Sequence, residues 1–165
     1  MQKIGLSYNL GGALRGVSYQ FNAADLQLCS GSGAQTFGSA GTPTGFVGMD
    51  LFPQGSFILR MQIYPSAAFA GPSLTDMKVR VGKAGAATNF FANDFDVFQT
   101  PSTNTLVEIP LPPIGQIGPF MPTVTFTPTG SVCQSCSGGQ VNIDMQLFDC
   151  TTPTFTGLYM SQSVL

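Results

Sequence analysis

The chain has no histidine and no tryptophan, and charged side chains make up only 8% of its residues. Each shortage removes a class of function. Histidine is the commonest general acid or base, so Ser–His–Asp and Cys–His arrangements are excluded. Without tryptophan, and with four tyrosines (Tyr8, Tyr19, Tyr64 and Tyr159), the chain offers few of the amphipathic rings that sugar-binding surfaces use. Six basic residues, spread from Lys3 to Lys83, form no basic patch, so no nucleic-acid partner is expected. No apolar run approaches the roughly 18 residues of a membrane helix, so no membrane partner is expected either. The opening MQKIGLSYNLGGALRG has no continuous apolar h-region and does not read as a signal peptide; synthesis in a cytoplasm is the expectation. Four cysteines are too few for a disulfide scaffold in 165 residues.

Charge is the most unusual shortage. A typical soluble domain carries about 25% charged residues and depends on them for solubility. Disordered chains combine low hydrophobicity with high charge; here the hydrophobic share is an ordinary 43%. The expected explanation is a surface hidden by neighbouring subunits or coated with Ser, Thr, Asn and Gln. The length fits one domain over 1–165.

What is present is alternation with a period of two, the mark of half-buried strands. VSYQF (17–21) puts Val17, Tyr19 and Phe21 on one face, and DLQLC (25–29) offers Leu26 and Leu28. SFILRMQIY (56–64) points Phe57, Leu59, Met61 and Ile63 one way and Ile58, Arg60, Gln62 and Tyr64 the other. LTDMKVRVGKA (74–84) alternates Met77, Val79 and Val81 with Lys78 and Arg80, then breaks at Gly82. TLVEIPL (105–111), TVTFT (123–127) and VNIDMQL (141–147) repeat the pattern. The only helix candidate is AATNFFANDFDVF (86–98), with Asn89 or Asp94 as a cap. Twenty glycines and twelve prolines punctuate the rest. The reading is an all-β, antiparallel β-sandwich, jelly-roll-like, with a long Gly/Ser loop (30–45) and a Pro-rich segment (110–122). Residues 1–24 read as a possible N-terminal arm. Ile114, Ile117, Phe120 and Met121 need burial, either over the sandwich or as intersubunit contacts on a neighbour.

Chemistry-bearing motifs are few. Asp144 and Glu108 fall mid-strand on outward faces, where a glycosidase-like pair competes with plain strand-surface solubility; the plain reading is preferred. Asp94-x-Asp96 has a spacing that can share a hard cation, but the full calcium-loop pattern is missing and turn formation is preferred. CQSC (133–136) is the sharpest motif. A structural zinc site would need two further ligands beside Cys133 and Cys136, either Cys29 and Cys150 or a carboxylate. A disulfide among Cys133, Cys136 and Cys150 is the other departure from the default of free thiols in a cytoplasm. GSGAQTFG (31–38) lacks the third glycine and the following helix of a dinucleotide loop. The fourteen phenylalanines read as core. No catalytic residue and no cofactor are expected.

LTDMKVRVGKAGAATNFFANDFDVFQT (74–100) and PTVTFTPTGSVCQSCSGGQVNIDMQLFD (122–149) together resemble a pattern in structural proteins of tailed bacteriophages. In those proteins a strand ending in Val–Gly leads through a small polar loop to an Asp–Val strand, and a Thr-rich strand returns through a Gly-ended loop. The resemblance covers about half of the chain and departs from the pattern at CQSC. It implies a β-sandwich virion component, of head decoration (cement) or minor capsid type, made in the host cytoplasm and located in the virion. It also implies partners among virion proteins such as the major capsid protein, and a homo-oligomer, with a trimer favoured. A tail-associated receptor- or carbohydrate-binding module is the alternative, and an enzyme is not expected.

Overall fold

A computed structural model describes residues 2–3, 14–29, 33–38, 49–52, 56–85, 89–98, 107–110 and 119–149. Among these residues, nine strands are arranged in two antiparallel sheets: β1 (Gln2–Lys3), β2 (Leu14–Asn22), β3 (Gln35–Phe37), β4 (Ser56–Ala70), β5 (Asp76–Lys83), β6 (Ala92–Asp96), β7 (Val107–Pro110), β8 (Pro122–Thr129) and β9 (Gly138–Asp149). One sheet has the order β1-β2-β9-β4-β7 and the other β3-β8-β5-β6. The expected all-β sandwich is therefore what the chain forms.

Alternation explains the core. Val17, Tyr19 and Phe21 of β2, and Val141, Ile143, Met145 and Leu147 of β9, are buried together with Met77, Val79 and Val81 of β5 and Val124 and Phe126 of β8. These side chains belong to one apolar cluster joining the two sheets. Aromatic rings hold its centre. Phe21 meets Phe37 and Phe126 at centroid distances of 5.1 and 5.5 Å, and Phe69 meets Phe126 at 5.6 Å. Such tilted and edge-on pairs add about 0.5–1.5 kcal/mol each beyond the area they bury. A second aromatic group, Phe52, Phe91 and Phe120, closes another part of the core.

Several expectations change. Within the Gly/Ser stretch read as a loop over 30–45, Gln35–Phe37 forms β3, because its backbone pairs with the edge of β8. Residues 25–29 are not a strand: α1 (Ala23–Gln27) forms there, started by a capping box. The Asn22 side chain accepts from the Asp25 N–H at 3.2 Å, and Asp25 Oδ2 accepts from the Asn22 N–H at 2.8 Å. Two otherwise orphaned helix-end donors are thereby satisfied. Within 86–98, the described residues contain no helix; 92–96 is β6, because its backbone can complete the open side of β5. In 56–64 the faces are exchanged in the first half. A register shift lies between Ile58 and Arg60, so Ile58 is 1% exposed and Leu59 is 44% exposed, while Met61 and Ile63 remain buried. A bulge inserts one unpaired residue and resets the alternation. Finally, β5 runs through Gly82 to Lys83.

Of the stretch 1–24, residues 14–22 are not an arm: they are an interior strand, paired with β1 on one side and β9 on the other. Of the Pro-rich segment, Phe120 is buried against its own chain, bridged to Phe52 by two backbone hydrogen bonds of 2.8 and 3.1 Å. Met121 packs at the edge of the same core. Ile114 and Ile117 lie outside the described residues. Among the described residues no helix is long and apolar enough to cross a membrane.

Candidate functional site

Three neighbouring strands place a groove bearing polar side chains on the outer face of the five-stranded sheet. Antiparallel partners share a face, so the register writes out three rows: Gly16–Gln146–Arg60, Ser18–Asp144–Gln62 and Gln20–Asn142–Tyr64, taken from β2, β9 and β4 in turn. Because Gly16 has no side chain, the first row is low at one end. The result is a recess of about 440 Å³ lined by residues of these rows, within the size range of small-ligand sites.

The groups in the groove are tied to one another. Ser18 Oγ donates to Asp144 Oδ1 at 2.5 Å, and Gln20 Nε2 donates to Asn142 Oδ1 at 3.0 Å. With its amide oxygen turned toward Arg60, Gln62 accepts from Arg60 Nε at 3.3 Å. Tyr64 has its phenol pushed above its ordinary range, first by burial and then by the Asp144 carboxylate beside it, to which its side chain is also hydrogen-bonded. A carboxylate, a guanidinium, three amides and two hydroxyls thus share one recess. Asp144 and Glu108, the carboxylates suggested by the sequence, both pair with Gln62 in the register, Asp144 from β9 and Glu108 from β7. They stand two strands apart, about 9.5 Å between backbones at ordinary strand spacing.

The cysteine motif is built as core. The 3-10 turn Cys133–Ser135 sits between β8 and β9, and Cys29, Cys133 and Cys136 are buried free thiols. Cys29 Sγ donates to the Asp25 carbonyl at 3.9 Å and Cys133 Sγ to the Phe126 carbonyl at 3.8 Å. Gln27 Nε2 donates to the Cys136 carbonyl at 2.7 Å, and Gln134 Nε2 donates to the Cys29 carbonyl. Each glutamine thus fastens the end of α1 to the turn. Burial, followed by the neighbouring thiol Cys136, pushes Cys29 up to about 11. Burial, followed by Cys136 and Cys29, pushes Cys133 up to about 12. Among the described residues no group of three Cys, Asp or Glu is arranged to hold a metal. Cys150, needed for the four-cysteine arrangement and for a disulfide to the loop, lies outside the described residues.

Asp94 and Asp96 face basic residues. Arg80 Nε donates to Asp94 Oδ1 at 2.6 Å, while Lys78 Nζ lies 3.3 Å from Asp96 and 3.4 Å from Asp76. The hydrogen bond from Arg80 holds the Asp94 carboxyl below its ordinary range. Asp94 has φ +51°, at the bulge where two β6 residues oppose Arg80. The pair serves the sheet edge. Sequence reasoning did not find the groove, since only the register brings β2, β4 and β9 side by side. The outward polar positions of β4 and β9 were the available signal.

No protein-family model and no curated protein matches the chain. Solved structures do. A chain of the acidic stable capsid structure of Helicobacter pylori bacteriophage KHP30 is similar over 89% of this chain and 91% of that one, with a TM-score of 0.52 and 10% identity. A chain of the cyanophage Pam1 capsid asymmetric unit is similar over 90% of this chain and 93% of that one, with a TM-score of 0.51 and 13% identity. At these identities the likeness is one of fold, and the two-sheet architecture of this chain is one that bacteriophage capsid structures contain.

Proposed function

We propose that the protein is a structural component of a bacteriophage virion, a decoration (cement) or minor capsid protein that stabilises a head by subunit–subunit contacts. The observation that carries this reading is the fold shared with chains of two phage capsid structures along nine-tenths of the length. The sparse charge of the sequence fits it, because a surface that meets other subunits gains little from solvated ions. The mechanism is mechanical. Each copy adds buried area where capsomers meet, and several weak contacts engaged at once multiply into a stable one. Partners are the major capsid protein and other copies of this chain, with a trimer favoured. The stretch between β1 and β2 and the segment holding Ile114 and Ile117 supply contacts in this reading, because apolar groups on breaker-rich chain favour a neighbour's surface.

Gel densitometry of purified particles tests the reading. The expected result is many copies per particle, with stripped particles losing heat resistance. A handful of copies, or none, overturns the decoration assignment.

A further inference from the structure

We propose that the groove on the outer face of the five-stranded sheet binds a neutral saccharide. This goes beyond the assembly role and does not rest on it. The argument is one of hydrogen-bond complementarity. A sugar hydroxyl both donates and accepts, so it is best held between an acceptor-only group and a donor-only group. Asp144 is the first and Arg60 the second, and amides, which do both, stand beside them at Gln62, Asn142 and Gln146. An adjacent pair of hydroxyls can donate to the carboxylate and accept from the guanidinium and amides.

Competing occupants fit less well. An anion meets Asp144, and a cation meets Arg60. A partner adding a strand pairs along a backbone edge, whereas the groove lies on the face of the sheet, where side chains and not backbone groups are presented. At about 440 Å³ the recess holds a small molecule and not a folded domain. Asp144 is already oriented by Ser18 at 2.5 Å, which lowers the ordering cost of binding. Gly16 leaves the mouth open, and the half-buried Tyr64 supplies apolar ring surface for the carbon face of a sugar.

Saturation-transfer NMR on the full chain with glucose, galactose, N-acetylglucosamine and lactose tests this. Transfer to at least one sugar is expected. Asp144→Asn and Gly16→Val should weaken it about tenfold or more, and Lys83→Gln should leave it unchanged. If Asp144→Asn fails to fold, Gln146→Ala, at an exposed position, replaces it in the comparison. Absence of transfer from every sugar overturns the proposal. So does equal binding by well-folded groove variants, or a preference for citrate or spermidine over all four sugars.

Discussion

Cys29, Cys133 and Cys136 illustrate how little a motif says without its surroundings. Cys-x-x-Cys reads as ligand or redox chemistry when exposed, but here the thiols fill core, and those of Cys29 and Cys133 donate weakly to carbonyls. A thiol in the unfolded chain ionises near pH 8.5, whereas Cys29 and Cys133 are held to about 11 and about 12 by burial and by neighbouring thiols. For an acid whose folded pKa is raised, the unfolded state loses its proton first. The stabilising contribution is complete below about pH 8.5 and declines as pH rises toward the folded values. In a Cys150→Ser background, thiol labelling at pH 8 should therefore be slow in the native protein and complete in denaturant. The denaturation midpoint should also fall between pH 8 and 10. Fast native labelling of all three thiols would contradict this assignment. Tyr19 is held similarly: its hydroxyl donates to Asp50 Oδ2 at 3.0 Å and accepts from the Asp50 N–H at 3.2 Å, tying the 49–52 segment to β2. Tyr19→Phe should cost about 1–2 kcal/mol, measurable by urea unfolding.

Among the elements, β2, β5 and β9 were legible because a single apolar stripe alternates with polar residues, and only one register buries it. The start of β4 was not. Phe57, Ile58 and Leu59 are all apolar, so alternation carries no phase there, and the pairing with β9 sets the bulge. α1 is five residues long, too short for a helical period to show. Its signal was the Asn22-x-x-Asp25 box, which outweighed the apparent alternation of Leu26 and Leu28. β6 looked helical because a bulge at Asp94 disrupts its alternation. The groove was illegible as a site because its members lie up to 130 positions apart in the chain (Gly16 to Gln146). The start of β9, just after the cysteine turn, offers a sharp test. Gly139 has φ +122°, and a Cβ there would stand 2.5 Å from the Phe69 ring and 2.6 Å from its Cα. Gly139→Ala combines a forbidden backbone region with overpacking and should cost about 3 kcal/mol, read as a lowered melting temperature. Unchanged stability would mean that the left-handed backbone and the close Phe69 contact at Gly139 are not required.

For the whole molecule, the scarce charge is partly spent internally. Lys78 and Arg80 face Asp76, Asp94 and Asp96 along one margin of the four-stranded sheet. If copies associate through apolar and hydroxyl surfaces, sedimentation at ~0.1 M and ~1 M salt should give nearly the same mass, since screening acts mainly on exposed ions. Dissociation at high salt would point to ionic contacts instead. The topology has another effect. β9 lies between β2 and β4 in the five-stranded sheet, yet it is the last of the described strands along the chain. While a ribosome is still making the polypeptide, β2 and β4 wait with open edges and bare apolar stripes until residues 138–149 emerge. Such long-range pairing delays folding and leaves apolar surface and unpaired edges exposed to clumping until that last strand arrives.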